Sequence, residues 1–259
     1  MIIQAALNGA RKRDYNRAVP HLLEEVSEDA TAAIAAGANE FHAHVYADVD
    51  RESLEPAAVE NWVSAIRSAA PGAFVGISTG AWIENNDARL LEYISRWTVL
   101  PDHASVNLSE VGALDVIRAL HARGVGIEAG LSTVSDAIRL RNSGLAPLVL
   151  RMLVEVDFQD LDLAMDEADK IITVLNALPS PKPILMHGFD DTTWPFVERA
   201  IAENYSIRIG LEDTNVLPAG PKTARNNIEL IRAAVFWVKR SRGEFGGGYS
   251  TNSLRRSSS

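Results

Sequence analysis

The chain has 259 residues, 47% of them hydrophobic, and its 34 acidic against 25 basic residues give a formal charge of −9. That length can bury a large core in one α/β barrel or in two smaller domains, and the acidic balance leaves no basic face for nucleic acid or an anionic membrane. Cysteine is absent, which excludes disulfides, thiolate metal sites and a cysteine nucleophile and leaves His, Asp and Glu as the available metal ligands.

The opening stretch MIIQAALNGARKRD is too short in its apolar part for a signal peptide, and no apolar run approaches the ~18 residues of a membrane span. A cytoplasmic enzyme is the expectation. Strands are predicted at 2–7, 40–45, 73–78, 103–108, 124–129, 148–153, 182–187 and 206–211, where short β-branched and apolar runs recur between longer amphipathic stretches. The helix after the first strand, within 21–37, closes on Gly37, and the next, within 55–72, stops at Pro71-Gly72. A shorter helix is predicted at 87–97, and the following one, over 109–124, takes Ser109 as its N-cap. Helices over 135–144, 160–179, 193–204 and 223–240 complete eight strand–helix units. From about 241 the sequence turns Gly-, Ser- and Arg-rich and reads as a flexible tail.

Eight such units over residues 1–240, with no linker between them, predict a single (β/α)8 TIM barrel. An open doubly wound sheet is the competitor, but no G-x-G-x-x-G opens a helix after the first strand. In a barrel the carboxyl ends of the strands share one rim, where active sites are built. Those ends carry Asn8, then His42 and His44, Ser78 and Thr79, Ser105 and Asn107, Glu128, Glu155 and Asp157, His187, and finally Arg208, Glu212 and Asp213. Singly, each has a plain alternative: Asn8, Ser78 or Asn107 satisfying turn backbone, Glu128 pairing with an arginine, His187 starting a loop.

In EFHAHV, His42 and His44 are two apart in a strand and so point to one side. In SIRIGLED, Arg208 and Glu212 share a strand face, with Asp213 at its exit. A structural ion pair is the plain reading of the latter, since buried charge needs a partner. Yet two neutral imidazoles and a carboxylate brought together across the mouth form a zinc set with a position open for water or substrate.

Over LNGARKRDYNRAVPHLLEEVSEDATAAIAAGANEFHAHV, GISTG, SVNLSE and IRIGLEDTNVLPAG, the sequence resembles the β-keto acid cleavage enzymes. The resemblance implies a zinc or other divalent ion on His42, His44 and Glu212, with Arg208, Asp213, Ser78 and Glu128 as the reacting set. It implies cleavage of a small anionic β-keto acid with acetyl-CoA, giving acetoacetate and an acyl-CoA. Asn8, Thr79, Ser105 and Asn107 are then candidate substrate contacts. The pattern is departed from at Tyr46, where an arginine is usual, at Arg11, where an acid is usual, and after the sixth strand, where VEVDFQDLD replaces a glycine-rich loop. Glu155, Asp157, Asp160 and Asp162 there are expected to disfavour a CoA phosphate by like-charge repulsion. Two other readings stand beside it: a metal-dependent hydrolase or lyase without CoA, and a metal-binding barrel without turnover. Neither nucleic acid nor membrane is an expected partner; association with further copies of the chain is compatible with the barrel.

Overall fold

In the computed structural model, which describes residues 1–244 apart from Asp50, Ala219 and Pro221, the strands run in chain order as follows. β1 is Ile3–Ala6 and β2 Glu40–Ala43; a short antiparallel ribbon of β3 (Tyr46–Asp48) and β4 (Arg51–Glu52) follows. Then come β5 (Phe74–Ser78), β6 (His103–Asn107), β7 (Gly126–Leu131), β8 (Arg151–Val156), β9 (Ile184–Gly188) and β10 (Ser206–Ile209). Apart from the ribbon, these strands close into a barrel in the order β1-β10-β9-β8-β7-β6-β5-β2, every pairing parallel. This is the TIM barrel expected from the eight repeating units. The helices α1 (Leu23–Ala36), α2 (Pro56–Ala69), α3 (Ala81–Glu84), α4 (Asp87–Arg96), α5 (Ala113–Ala122), α6 (Val134–Ser143), α7 (Leu161–Asn176), α8 (Thr193–Ala202) and α9 (Asn227–Ser241) surround it.

Period-two alternation divides the strands cleanly. Phe41 and Ala43, Val75 and Ile77, Ala104 and Val106, Ile127 and Ala129, Met152 and Val154, and Ile207 and Ile209 all join the apolar core between sheet and helices. The alternate positions carry Gln4, Glu40 and His42, Ser78, His103 and Ser105, Glu128, Arg151 and Glu155, His187 and Arg208, all buried. The barrel interior is therefore mainly polar, where TIM barrels more often stack branched aliphatic side chains. Hydrophobic burial on the outer face, at about 1.5–3 kcal/mol per large side chain, has to hold the charged interior in place.

Several expected boundaries move. Strands predicted at 124–129 and 148–153 lie at Gly126–Leu131 and Arg151–Val156. Val125 and Val149, at the lower end of the barrel, are as buried as strand residues, so apolarity alone could not separate plug from strand. Ser109 is not the N-cap of α5. The helix begins after Gly112, because the loop before it is fastened by Arg139, which donates to the carbonyls of Leu108, Glu110 and Val111. Asp160 caps α7, accepting from the Leu163 amide, and Gly37 closes α1 as expected. The tail expected from 241 lies outside the described residues from 245 onward; Ser241 still belongs to α9.

Candidate active site

β2 and the segment after β10 bring their polar residues to one point. Leu7 N–H donates to the His42 carbonyl at 3.0 Å, and the Asn8 side chain ties the backbone around His44. It donates to the carbonyls of Pro20 and His44 and accepts from the amides of Gly9 and His44. Asn8 is thus a buried backbone clamp. The chain then turns at Gly9, with φ of 61°, and a Cβ there would stand 2.3 Å from Glu212 Cγ. Only glycine gives both the left-handed turn and the room that the Glu212 side chain occupies.

His42 and His44 present Nε2 to the same carboxylate. His42 Nε2 lies 3.7 Å from Glu212 Oε2 and His44 Nε2 lies 3.3 Å from Glu212 Oε1, and the ligand atoms of the three lie within 4.8 Å of one another. Burial drives His42 down to about 3. Burial would lower His44 too, but the carboxylates of Glu212 and Glu52 outweigh it and raise it to about 9. Glu212 is held well below the usual carboxylate range: burial opposes its ionisation, and Arg208 with the two imidazoles overcomes that. Glu212 Oε2 has no hydrogen-bond partner although buried. Two imidazole nitrogens and an under-satisfied anionic oxygen facing each other are what a divalent cation fits.

Arg208 adjoins this set. Its Nε and Nη2 donate to Asp213 Oδ1 at 3.1 and 2.9 Å, and Nη2 is 2.5 Å from Glu212 Oε1. The ion pair expected on the strand pattern is therefore present together with the convergence of Glu212 on the histidines. Asp213 is fully buried behind Arg208; burial raises it to about 7 against the pull of the guanidinium. His187 sits between Asp213 and Glu155, with Nδ1 3.4 Å from Asp213 Oδ1 and Nε2 3.6 Å from Glu155 Oε2, and burial keeps it well below the ordinary imidazole value.

These groups open into a cavity of about 480 Å³ lined by His42, His44, Ser78, Ser105, Asn107, Glu155, Arg208 and Glu212, with Arg11, Trp82, Asp157 and Asp190 toward its edge. Of the residues picked from strand ends, Thr79 lies behind the wall, its hydroxyl donating to the Ser105 carbonyl at 2.7 Å. Glu128 is not at the mouth. It lies a layer deeper, bonded to Arg151 Nε at 2.6 Å and Gln4 Nε2 at 2.7 Å, the arginine pairing that the pattern left open. Burial would raise it, but His103 and Arg151 hold it down at about 2.

Other residues take a part at the site that their place in the sequence did not reveal. Glu155 was one acid among four in an acidic stretch. In the structure its carboxyl group turns inward beside Gly130, where a Cβ would stand 2.1 Å from Oε1, and burial pushes it up to about 8. Arg11 forks onto Asp190 at 2.9 and 3.0 Å and donates Nε to the Glu212 carbonyl. Asp190 holds a left-handed backbone, φ 46°, which aspartate tolerates better than most residues. Tyr46 donates its hydroxyl to the Gly9 carbonyl at 2.7 Å and stacks on His21, so the residue in the usual arginine position fastens the first loop. Glu52 and Trp82 lie in segments where the sequence predicts neither strand nor helix, with no periodic signal to reveal them.

The family model described as beta-keto acid cleavage enzyme matches residues 1–245. The 3-keto-5-aminohexanoate cleavage enzyme of Acetoanaerobium sticklandii is 25% identical, across 99% of this chain and 96% of that protein. The 3-oxoadipate:acetyl-CoA acetyltransferase of Cupriavidus necator is 42% identical over 81 residues, 30% of this chain and 28% of that one. Among solved structures, the ternary complex of ObcA with a C4-CoA adduct and oxalate superposes with a TM-score of 0.70 at 16% identity, covering 87% of this chain. The chain spans 64% of ObcA's length, and at that identity the likeness is one of fold.

Proposed function

Because the chain belongs to the beta-keto acid cleavage enzyme family, we propose that it cleaves a small anionic β-keto acid with acetyl-CoA, giving acetoacetate and a new acyl-CoA, and that His42, His44 and Glu212 hold a divalent metal, zinc foremost. The observation that carries this reading is the convergence of two Nε2 atoms and a carboxylate on a cavity that also exposes an arginine. An ion bound there would supply Lewis-acid polarisation of the substrate's keto oxygen.

The chain's own residues do the rest. Arg208 takes the substrate carboxylate by a charge-assisted contact, its plane fixed beforehand by Asp213 and Glu212. Asp213 orients Arg208 and is the carboxyl assigned to proton transfer. Ser78, Ser105 and Asn107 line the wall and offer hydrogen bonds to substrate oxygens. Asn8 and Thr79 hold backbone, and Glu128 acts on the site only from below.

The edge of the cavity favours a second reading, a hydrolase or lyase that works without CoA, because Asp157 stands at the mouth with no cation bonded to it among the described residues. Incubating metal-loaded protein with a panel of β-keto acids, with and without acetyl-CoA, separates the two. Acetoacetate formed only when acetyl-CoA is present supports the acyl transfer; consumption of the keto acid without it establishes the alternative.

A further inference from the structure

One ligand of the candidate metal set has a carboxylate behind it and the other does not. His44 Nδ1 is hydrogen-bonded to Glu52 Oε1, whereas His42 Nδ1 is buried with no partner. Glu52 lies on β4, outside the barrel, and its second oxygen accepts the indole N–H of Trp82 at 3.0 Å. Trp82, half exposed at the cavity edge, also lies over the His44 ring, with centroids 6.1 Å apart and planes 28° from parallel.

We propose that Glu52 positions His44 as a metal ligand and that Trp82 holds Glu52 in that role, so that β4 and α3 belong to the metal centre although neither supplies a ligand. The inference rests on the metal reading given above. Its physical content is a tautomer and an orientation. A carboxylate on Nδ1 keeps the proton on that nitrogen, leaves the Nε2 lone pair facing Glu212, and increases the basicity of the ring. Because Glu52 accepts from two donors through two different oxygens, its carboxylate plane is fixed, and the imidazole is fixed with it. His42 lacks such a support; its orientation depends on strand β2 and on packing alone.

The test is a titration of metal-free protein with Co(II), read by its visible absorption, with the melting temperature of the metal-free protein as a control for folding. Glu52→Ala should weaken Co(II) binding by about 10–100-fold while the metal-free melting temperature changes little. Glu52→Gln, which keeps the acceptor and loses the charge, should fall between Ala and wild type. Trp82→Phe keeps the ring and loses the N–H; it should cost about 2–10-fold. In the Glu52→Ala background that same change should cost less than about twofold, since the two residues act through one contact. Co(II) affinity within twofold of wild type in both Glu52 variants overturns the positioning role and leaves the metal reading standing. Wild-type protein that takes up no Co(II) overturns both.

Discussion

Two clusters of buried charge lie one above the other in the same barrel, and each contains three residues able to hold an ion. The upper set is His42, His44 and Glu212, with Arg208 beside it; the lower is Glu40, His103 and Glu128. The carboxylates of the lower set are held by the protein's own cation and amide, although His103 Nδ1 and Nε2 and Glu128 Oε2 have no hydrogen-bond partner among the described residues. Arg151 is ion-paired with both Glu40 and Glu128, Gln4 bridges the same two carboxylates, and no lower-set residue lines the cavity. The upper arginine also pairs with its carboxylate, Glu212, as well as with Asp213, but here the carboxylate and both imidazoles face an open volume. Ligand types at ligand distances therefore do not make a metal site; an open coordination position does.

The largest effect should come from emptying the upper set. His42→Ala with His44→Ala is expected to abolish metal binding and cut turnover by about three orders of magnitude or more, as expected of a lost metal. His103→Ala should leave metal content unchanged. Elemental analysis of both proteins decides it: full occupancy in the double variant, or loss in His103→Ala, would reverse the assignment.

The next effect belongs to the lower set. Arg151→Met leaves two buried carboxylates without their cation, a change expected to cost about 3–5 kcal/mol in a denaturant titration. Neutralising both acids as well, Glu40→Gln with Glu128→Gln, should recover most of that loss. A destabilisation under about 1 kcal/mol in the single variant would show that Arg151 does not carry the charge balance of the layer.

A third contrast sets carboxylates that have a cation against one that does not. Glu128, beside Arg151, is held at about 2. Asp29 on α1 has only the Asn227 amide, and burial raises it to about 7. Asn227 in turn donates to the Leu7 carbonyl and accepts from the Leu211 amide, next to Glu212. An acid raised on folding binds its proton more tightly in the native state, so stability is greatest below the unfolded value near 4 and falls as pH rises to about 7. Asp29→Asn keeps an acceptor and removes the titration. Relative to wild type, it should gain stability across that window, by an order of a few kcal/mol at most. Parallel pH dependences in the two proteins would place the Asp29 carboxyl in contact with water.

Much of this arrangement was legible in the sequence, for a physical reason. Strand side chains alternate, so polar residues within apolar runs had to point inward, and His42, His44 and Arg208 could be assigned to one rim before any coordinates. Glu212, expected on the same strand face as Arg208, instead reaches the rim from the turn after β10, which ends at Ile209. Depth was not legible. Glu128 and Ser105 are register partners on adjacent strands, yet one is sealed in the lower layer and the other lines the cavity, a difference set by barrel stagger. Nor was the ribbon: Glu52 reaches His44 across an eight-residue separation through a pairing that two short strands in a polar segment do not announce.

Arg208 sharpens the account of the upper set. If its fork takes the substrate carboxylate, Arg208→Lys should lose about 100-fold in kcat/KM, because an ammonium cannot reproduce two parallel contacts and also reach Asp213. Metal content should be retained, which separates substrate clamping from damage to the ligands. Near-wild-type kcat/KM would leave Arg208 the partner of Asp213 and Glu212 alone.

The smallest effect concerns the acidic edge of the mouth. The four acids of VEVDFQDLD were expected to repel a CoA phosphate together, but the structure divides them. Glu155 is buried and raised to about 8, so it carries little charge at neutral pH. Asp160 accepts the Leu163 amide as the cap of α7, and Asp162 sits in that helix's first turn, where its charge faces the positive end of the helix. Asp157 alone remains as an exposed charge on the cavity wall, and a single exposed charge is strongly screened. Acetyl-CoA binding should therefore improve only about threefold between low and physiological salt. Asp157→Asn should show that improvement already at low salt and lose most of the salt response. Binding that weakens as salt is added would mean that attraction, through Arg11 or another cation at the edge, governs the approach of CoA.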